Sequence, residues 1–152
     1  MSAGKRRAFT LLLIVLLLLT VSFIWGNSLL DRKASAEVSR GVLELIKPLL
    51  EAFGLNTDDD LWLRKLAHFT EFGALGAELC MLFALHRPLR LRLISDCAAV
   101  SLAVAAADET IQLYSGRFAS LKDALLDFAG ALTGIVLLYW IIQNIKRRKS
   151  VE

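Results

Sequence analysis

Apolar residues fall in long runs along this chain, and the runs are closed by basic residues or by short polar turns. The first run, AFTLLLIVLLLLTVSFIW from Ala8 to Trp25, follows Lys5, Arg6 and Arg7. A second extends from about Leu61 to His86 and is closed by HRPLRLR. A third covers about 93–114, and after the turn SGRFAS a fourth covers about 120–145 and ends in KRRK. A helix crosses a bilayer with roughly 20 mostly apolar residues. The pattern therefore predicts four transmembrane helices, at about 8–26, 61–86, 93–114 and 120–145. The first run also has a signal-peptide reading, since Ala34-Ser35-Ala36 resembles a small-residue cleavage site. It is long for a signal core of roughly 7–15 residues, however. The polar NSLLDRK also separates it from that site, so a retained helix is the expectation.

The one sizeable hydrophilic stretch, 27–60, has a pattern of its own. Val38, Val42, Leu45, Ile46, Leu49, Leu50 and Phe53 recur at three- and four-residue spacing, the period of one helix face. Arg40 with Glu44 and Lys47 with Glu51 form i,i+4 pairs on the other face. These features predict an amphipathic helix at about 34–53, lying on the membrane surface or capping the bundle. Pro48 is expected to kink or divide it, and NTDDD supplies a start signal for the next helix. The expected fold is an all-α integral membrane protein. It is a single domain over 1–152: a four-transmembrane-helix bundle with an extracytoplasmic amphipathic helix between the first two spans.

Charge fixes the expected orientation. The N-terminus, the Arg87–Arg92 turn and the C-terminal tail are basic, whereas the 27–60 loop is rich in Asp and Glu. Basic loops stay cytoplasmic, so both termini are expected inside, in a multi-pass protein of the cytoplasmic (inner) membrane. The net charge of +3 and pI near 9.1 would by themselves point to nucleic acid. Here the basic residues flank apolar runs instead of forming a stripe, which argues against that partner. With 56% hydrophobic residues and a mean hydropathy of +0.55, little length is left for a soluble catalytic module. Cys80 and Cys97 lie inside apolar runs without metal-ligand spacing and read as free core thiols.

Ionisable residues inside the spans change this picture. Arg64, Lys65, His68 and Glu71 occupy the outer half of the second span, and positions 64, 68 and 71 share a face. Asp108, Glu109 and Gln112 occupy the outer half of the third. Asp123 and Asp127 occupy that of the fourth, with Arg117 in the turn between them. Three helices thus deliver ionisable groups to one level of the membrane. Charges at such depth cost about 2.5–3.5 kcal/mol each and persist when they face one another or a water-filled cavity. Two roles are open: polar glue between helices, or a pocket that binds a ligand. Gly73, Gly76, Gly130 and Gly134 are small residues that permit close helix packing within the chain. Glu78 either extends the polar path or is neutral and hydrogen-bonded.

These blocks resemble the VanZ-like family. The family pattern, Arg-Lys-x-x-His-x-x-Glu-[Tyr/Phe], then Asp-Glu-x-x-Gln, an Arg in a turn, and Asp-x-x-x-Asp-x-x-Gly, falls on Arg64, Lys65, His68, Glu71 and Phe72; on Asp108, Glu109 and Gln112; on Arg117; and on Asp123, Asp127 and Gly130. Phe72 stands where Tyr is frequent. WGNSLLDRK resembles the family's Ser-rich outer loop more loosely. By name, the resemblance implies a link to teicoplanin-type antibiotic resistance.

The leading expectation is an outward-facing polar pocket that engages a cell-envelope component such as a lipid-linked phosphate. Arg64, Lys65 and Arg117 are suited to phosphate oxygens, and the carboxylates to a divalent cation or to moving protons. No metal-ligand set and no cofactor is assigned. The rival is a membrane-embedded enzyme acting on a lipid-phosphate with His68 as acid–base group, although no nucleophile signature or Gly-rich phosphate loop is present. Four spans without an evident inverted repeat disfavour a monomeric transporter, so a transporter would need to oligomerise. A structural subunit of an envelope complex is the remaining class.

Overall fold

The structure is a computed structural model that describes residues 2–30, 32–52, 60–117 and 120–149. Every regular element among them is a helix: α1 (Ala3–Leu29), α2 (Arg32–Ala52), α3 (Asp60–Ala84), α4 (Leu91–Tyr114) and α5 (Leu121–Lys149). The Asn56–Asp59 part of the expected start signal lies outside the described residues, and α3 opens at Asp60.

Cross-chain polar contacts fix how the helices run. Thr10 on α1 is 2.9 Å from His86, just past α3. One half-length further on, the Thr20 hydroxyl donates to Glu78 Oε1 at 2.9 Å. At the far end the Ser28 carbonyl accepts from the Ser115 hydroxyl after α4. Helix α1 is therefore antiparallel to α3, with Glu78 held by the Thr20 hydroxyl across the interface between them. Helices α3 and α5 run parallel, because position 65 meets 123 and 68 meets 127. Helix α4 returns between them through two short turns. In the second turn Gly116 takes a φ of +76°, where glycine is unstrained.

Small residues set the closest approach. A Cβ built on Gly130 would overlap the carbonyl of Phe69, one on Gly134 that of Gly73, and one on Gly76 that of Ala131. The α3 and α5 backbones thus touch along a glycine seam, and no other pair of helices packs so extensively. Behind the seam lies a core of Ile24, Phe72, Leu75, Leu79, Leu93, Ala105, Ala131 and Ile135, with the free thiols of Cys80 and Cys97 buried among them.

Among the described residues three helices are long and apolar enough to cross a membrane: α1, Trp62–Ala84 of α3, and Leu121–Arg148 of α5. Helix α4 has 24 residues but carries Arg92, Asp96, Asp108 and Glu109, which lowers its apolar content. Large apolar side chains such as Leu11, Leu12, Leu18, Leu19, Leu137 and Trp140 face outward. Apolar surface on this scale is solvated by lipid tails, not water, so the bilayer is the protein's medium and the chain is a multi-pass membrane protein.

Of the kink or division expected at Pro48, the division does not occur: α2 continues through it as one helix. Proline removes a single N–H donor, and only four residues follow it before the helix ends. Among its described side chains Leu43 is buried, whereas Leu45 is 81% exposed and Val38 and Val42 are half open. Val38 and Val42 face the bundle across a cavity, whereas Leu45 turns away and the buried Leu43 lies off the expected stripe, so the covered side of α2 is displaced from the apolar periodicity. The side chains of Ile46, Leu49 and Leu50, and all of Phe53, lie outside the described residues.

Candidate functional site

At the Ser28 end of the bundle, α3, α4 and α5 bring their ionisable residues together, and geometry sorts them into groups. Innermost is a triad, one residue from each helix. His68 Nδ1 lies 3.9 Å from Asp108 Oδ2 and 3.6 Å from Asp127 Oδ1. Both carboxylates are buried, and the imidazole is largely so. Parallel packing of α3 on α5 sets 68 against 127, while the antiparallel return of α4 brings in 108.

Gln112 orients the triad from behind. One turn beyond Asp108 on the same face, its amide donates to Asp108 Oδ2 at 2.7 Å and reaches the Ser28 hydroxyl at 3.5 Å. Glu109, its neighbour in sequence, points elsewhere. Its Oε2 accepts the Ser120 backbone N–H at 2.7 Å, which satisfies a donor at the start of α5 and closes the α4–α5 turn. Glu109 is therefore a staple of the hairpin.

At the rim Lys65 pairs with Asp123 at 3.4 Å, with side chains 58% and 41% exposed. An open pair of this kind contributes little stability. Asp123 also sits in the first turn of α5, where a carboxylate is favoured. Arg117 is buried in the turn. Burial pulls its pKa down, as does the nearby Arg64 guanidinium, while Asp108, Glu109 and Asp123 hold it up.

The last group lines a cavity of about 410 Å³ between α1, α2 and α3. Phe23, Leu30, Val38, Val42, Leu63 and Leu66 make its apolar wall, and Arg64, His68, Glu71 and Arg117 its polar wall. All ten expected residues thus gather at one end, but in four environments. Several buried carboxylate oxygens, Glu71 Oε2, Asp108 Oδ1, Glu109 Oε1 and Asp127 Oδ2, have no hydrogen-bond partner among the described residues.

Ser28 is the residue that sequence reasoning missed. It is fully buried, and both its hydroxyl and its carbonyl accept from the α4 end. Its signal was its place in WGNSLL, at the level of the outer cluster.

A bundle of apolar helices with a buried histidine–carboxylate centre at one end is the class that the fold defines. The family follows from comparison: the model for VanZ/LLP1 matches residues 9–143, and the chain belongs to this family. No curated protein and no solved structure matches it.

Proposed function

We propose that the chain crosses the cytoplasmic membrane four times with both termini inside, and that its outer end binds the phosphate headgroup of a lipid-linked cell-envelope precursor. The observation that carries this reading is the two-sided cavity. An apolar wall from α1, α2 and α3 suits a prenyl or acyl chain, and Arg64 and Arg117 at the other wall suit phosphate oxygens. Arginine is the residue best matched to phosphate, through paired N–H donors. Helix α2 then serves as a cover on the lipid side. Resistance to an antibiotic that acts on such precursors is the phenotype this reading supports, in line with the family name.

Purified protein in detergent should bind a polyprenyl phosphate in native mass spectrometry and ignore the matching polyprenol. Arg64→Ala and Arg117→Ala should each weaken binding about 10- to 150-fold, since a hydrogen bond to a charged group contributes about 1.5–3 kcal/mol. Equal binding of phosphate and alcohol would reject the reading. In cells, deletion should alter sensitivity to envelope-targeting antibiotics and the pool of lipid-linked intermediates.

A further inference from the structure

We propose that His68, Asp108 and Asp127 form a divalent-metal site of mixed nitrogen–oxygen ligation, of the kind that zinc or manganese takes. The proposal stands without the lipid-phosphate reading.

Geometry is the first reason. One ligand atom from each residue lies within 4.8 Å of the other two. At 3.6 and 3.9 Å the His68 contacts are too long for N–H···O hydrogen bonds, which span about 2.7–3.2 Å. Ligands held about 2.0–2.1 Å from a tetrahedral ion stand about 3.3–3.4 Å apart. The two His68 edges therefore need contractions of about 0.2–0.6 Å, and the carboxylate–carboxylate edge, which lies within 4.8 Å, up to about 1.5 Å, to turn the triad into a coordination face. Three protein ligands with a further position open is the donor count of a catalytic zinc centre.

Charge is the second reason. Asp108 and Asp127 are 0% and 1% exposed, and each keeps an oxygen with no hydrogen-bond partner among the described residues, Asp108 Oδ1 and Asp127 Oδ2. Buried polar groups are normally satisfied, and a dication is the partner whose charge best compensates two buried carboxyl groups facing one imidazole. The wider setting also fits. The Gln112 amide on Asp108 is the kind of outer hydrogen bond that orients a metal-binding carboxylate. The imidazole selects against magnesium and calcium, which prefer oxygen alone.

Full-length protein in detergent, loaded separately with Zn²⁺ and Mn²⁺ and freed of excess by gel filtration, should retain about one ion per chain by elemental mass spectrometry. Asp127→Asn should lower retention at least about tenfold. The Cys80→Ser/Cys97→Ser double variant should retain the ion unchanged. Cobalt(II) in the wild-type protein provides a readout that needs no variant: d–d bands in the visible without a thiolate charge-transfer band. Wild-type protein that retains neither metal overturns the site, as does full retention by a folded Asp127→Asn protein. Loss of metal with the cysteines or thiolate bands in the cobalt spectrum would overturn it equally. Polyprenyl phosphate binding is scored separately, so either result can fail without the other.

Discussion

Asp108 and Glu109 are neighbours in sequence with different work to do. Asp108 faces His68 and is held by Gln112, while Glu109 turns to the backbone N–H of Ser120. Helical geometry imposes the division, since consecutive residues point about 100° apart. Glu109→Gln keeps an oxygen acceptor for Ser120 and should leave thermal stability in detergent nearly unchanged. Glu109→Leu leaves the N–H without its acceptor and should destabilise by about 1–3 kcal/mol. Equal melting temperatures for the two variants would show that the staple contributes nothing. That ionisable residues gather at one level was legible from helix direction and spacing alone. Their separate roles were not, because the rotation of each helix about its axis decides which residue faces the triad. Neither was Ser28, whose partners Gln112 and Ser115 lie far along the chain.

Among the elements, α3 and α5 show how composition becomes packing. Gly73, Gly130 and Gly134 bring two backbones into direct contact, and that contact sets position 68 against 127. Gly134→Leu cannot fit without parting the helices, so it should lower the melting temperature sharply and disturb the site at a distance. Gly41 on α2 has nothing within 4 Å of a built Cβ. Gly41→Ala should be neutral or stabilising by up to about 1 kcal/mol, from helix propensity. Comparable losses for both variants would remove the seam from the account. The glycines were visible in the sequence as small residues at helical spacing, and their partners follow from α3 and α5 running parallel. Less was legible in α2. Its apolar periodicity shows that one face is apolar, but not which part of that face protein covers. Leu45, on the expected face, is open, while the buried Leu43 lies outside that face.

At the scale of the whole molecule, two polar ends are separated by an apolar middle. From Lys65 to Ala84, α3 rises about 29 Å at ~1.5 Å per residue, close to the ~30 Å hydrocarbon thickness of a bilayer. The triad lies about one turn below Lys65, near one interface, and Arg87 pairs with Asp96 near the other. Whether α4 completes a crossing is the question on which the orientation of the site depends. Four crossings place Pro88 and Lys122, which flank α4, on opposite sides of the membrane; three would place them together. The direct test uses a membrane-impermeant maleimide on intact cells, with single cysteines in the Cys80→Ser/Cys97→Ser background. The account predicts that Glu51→Cys and Lys122→Cys label from outside, and that Pro88→Cys labels only after permeabilisation. Labelling of Pro88→Cys and Lys122→Cys from the same side would contradict it.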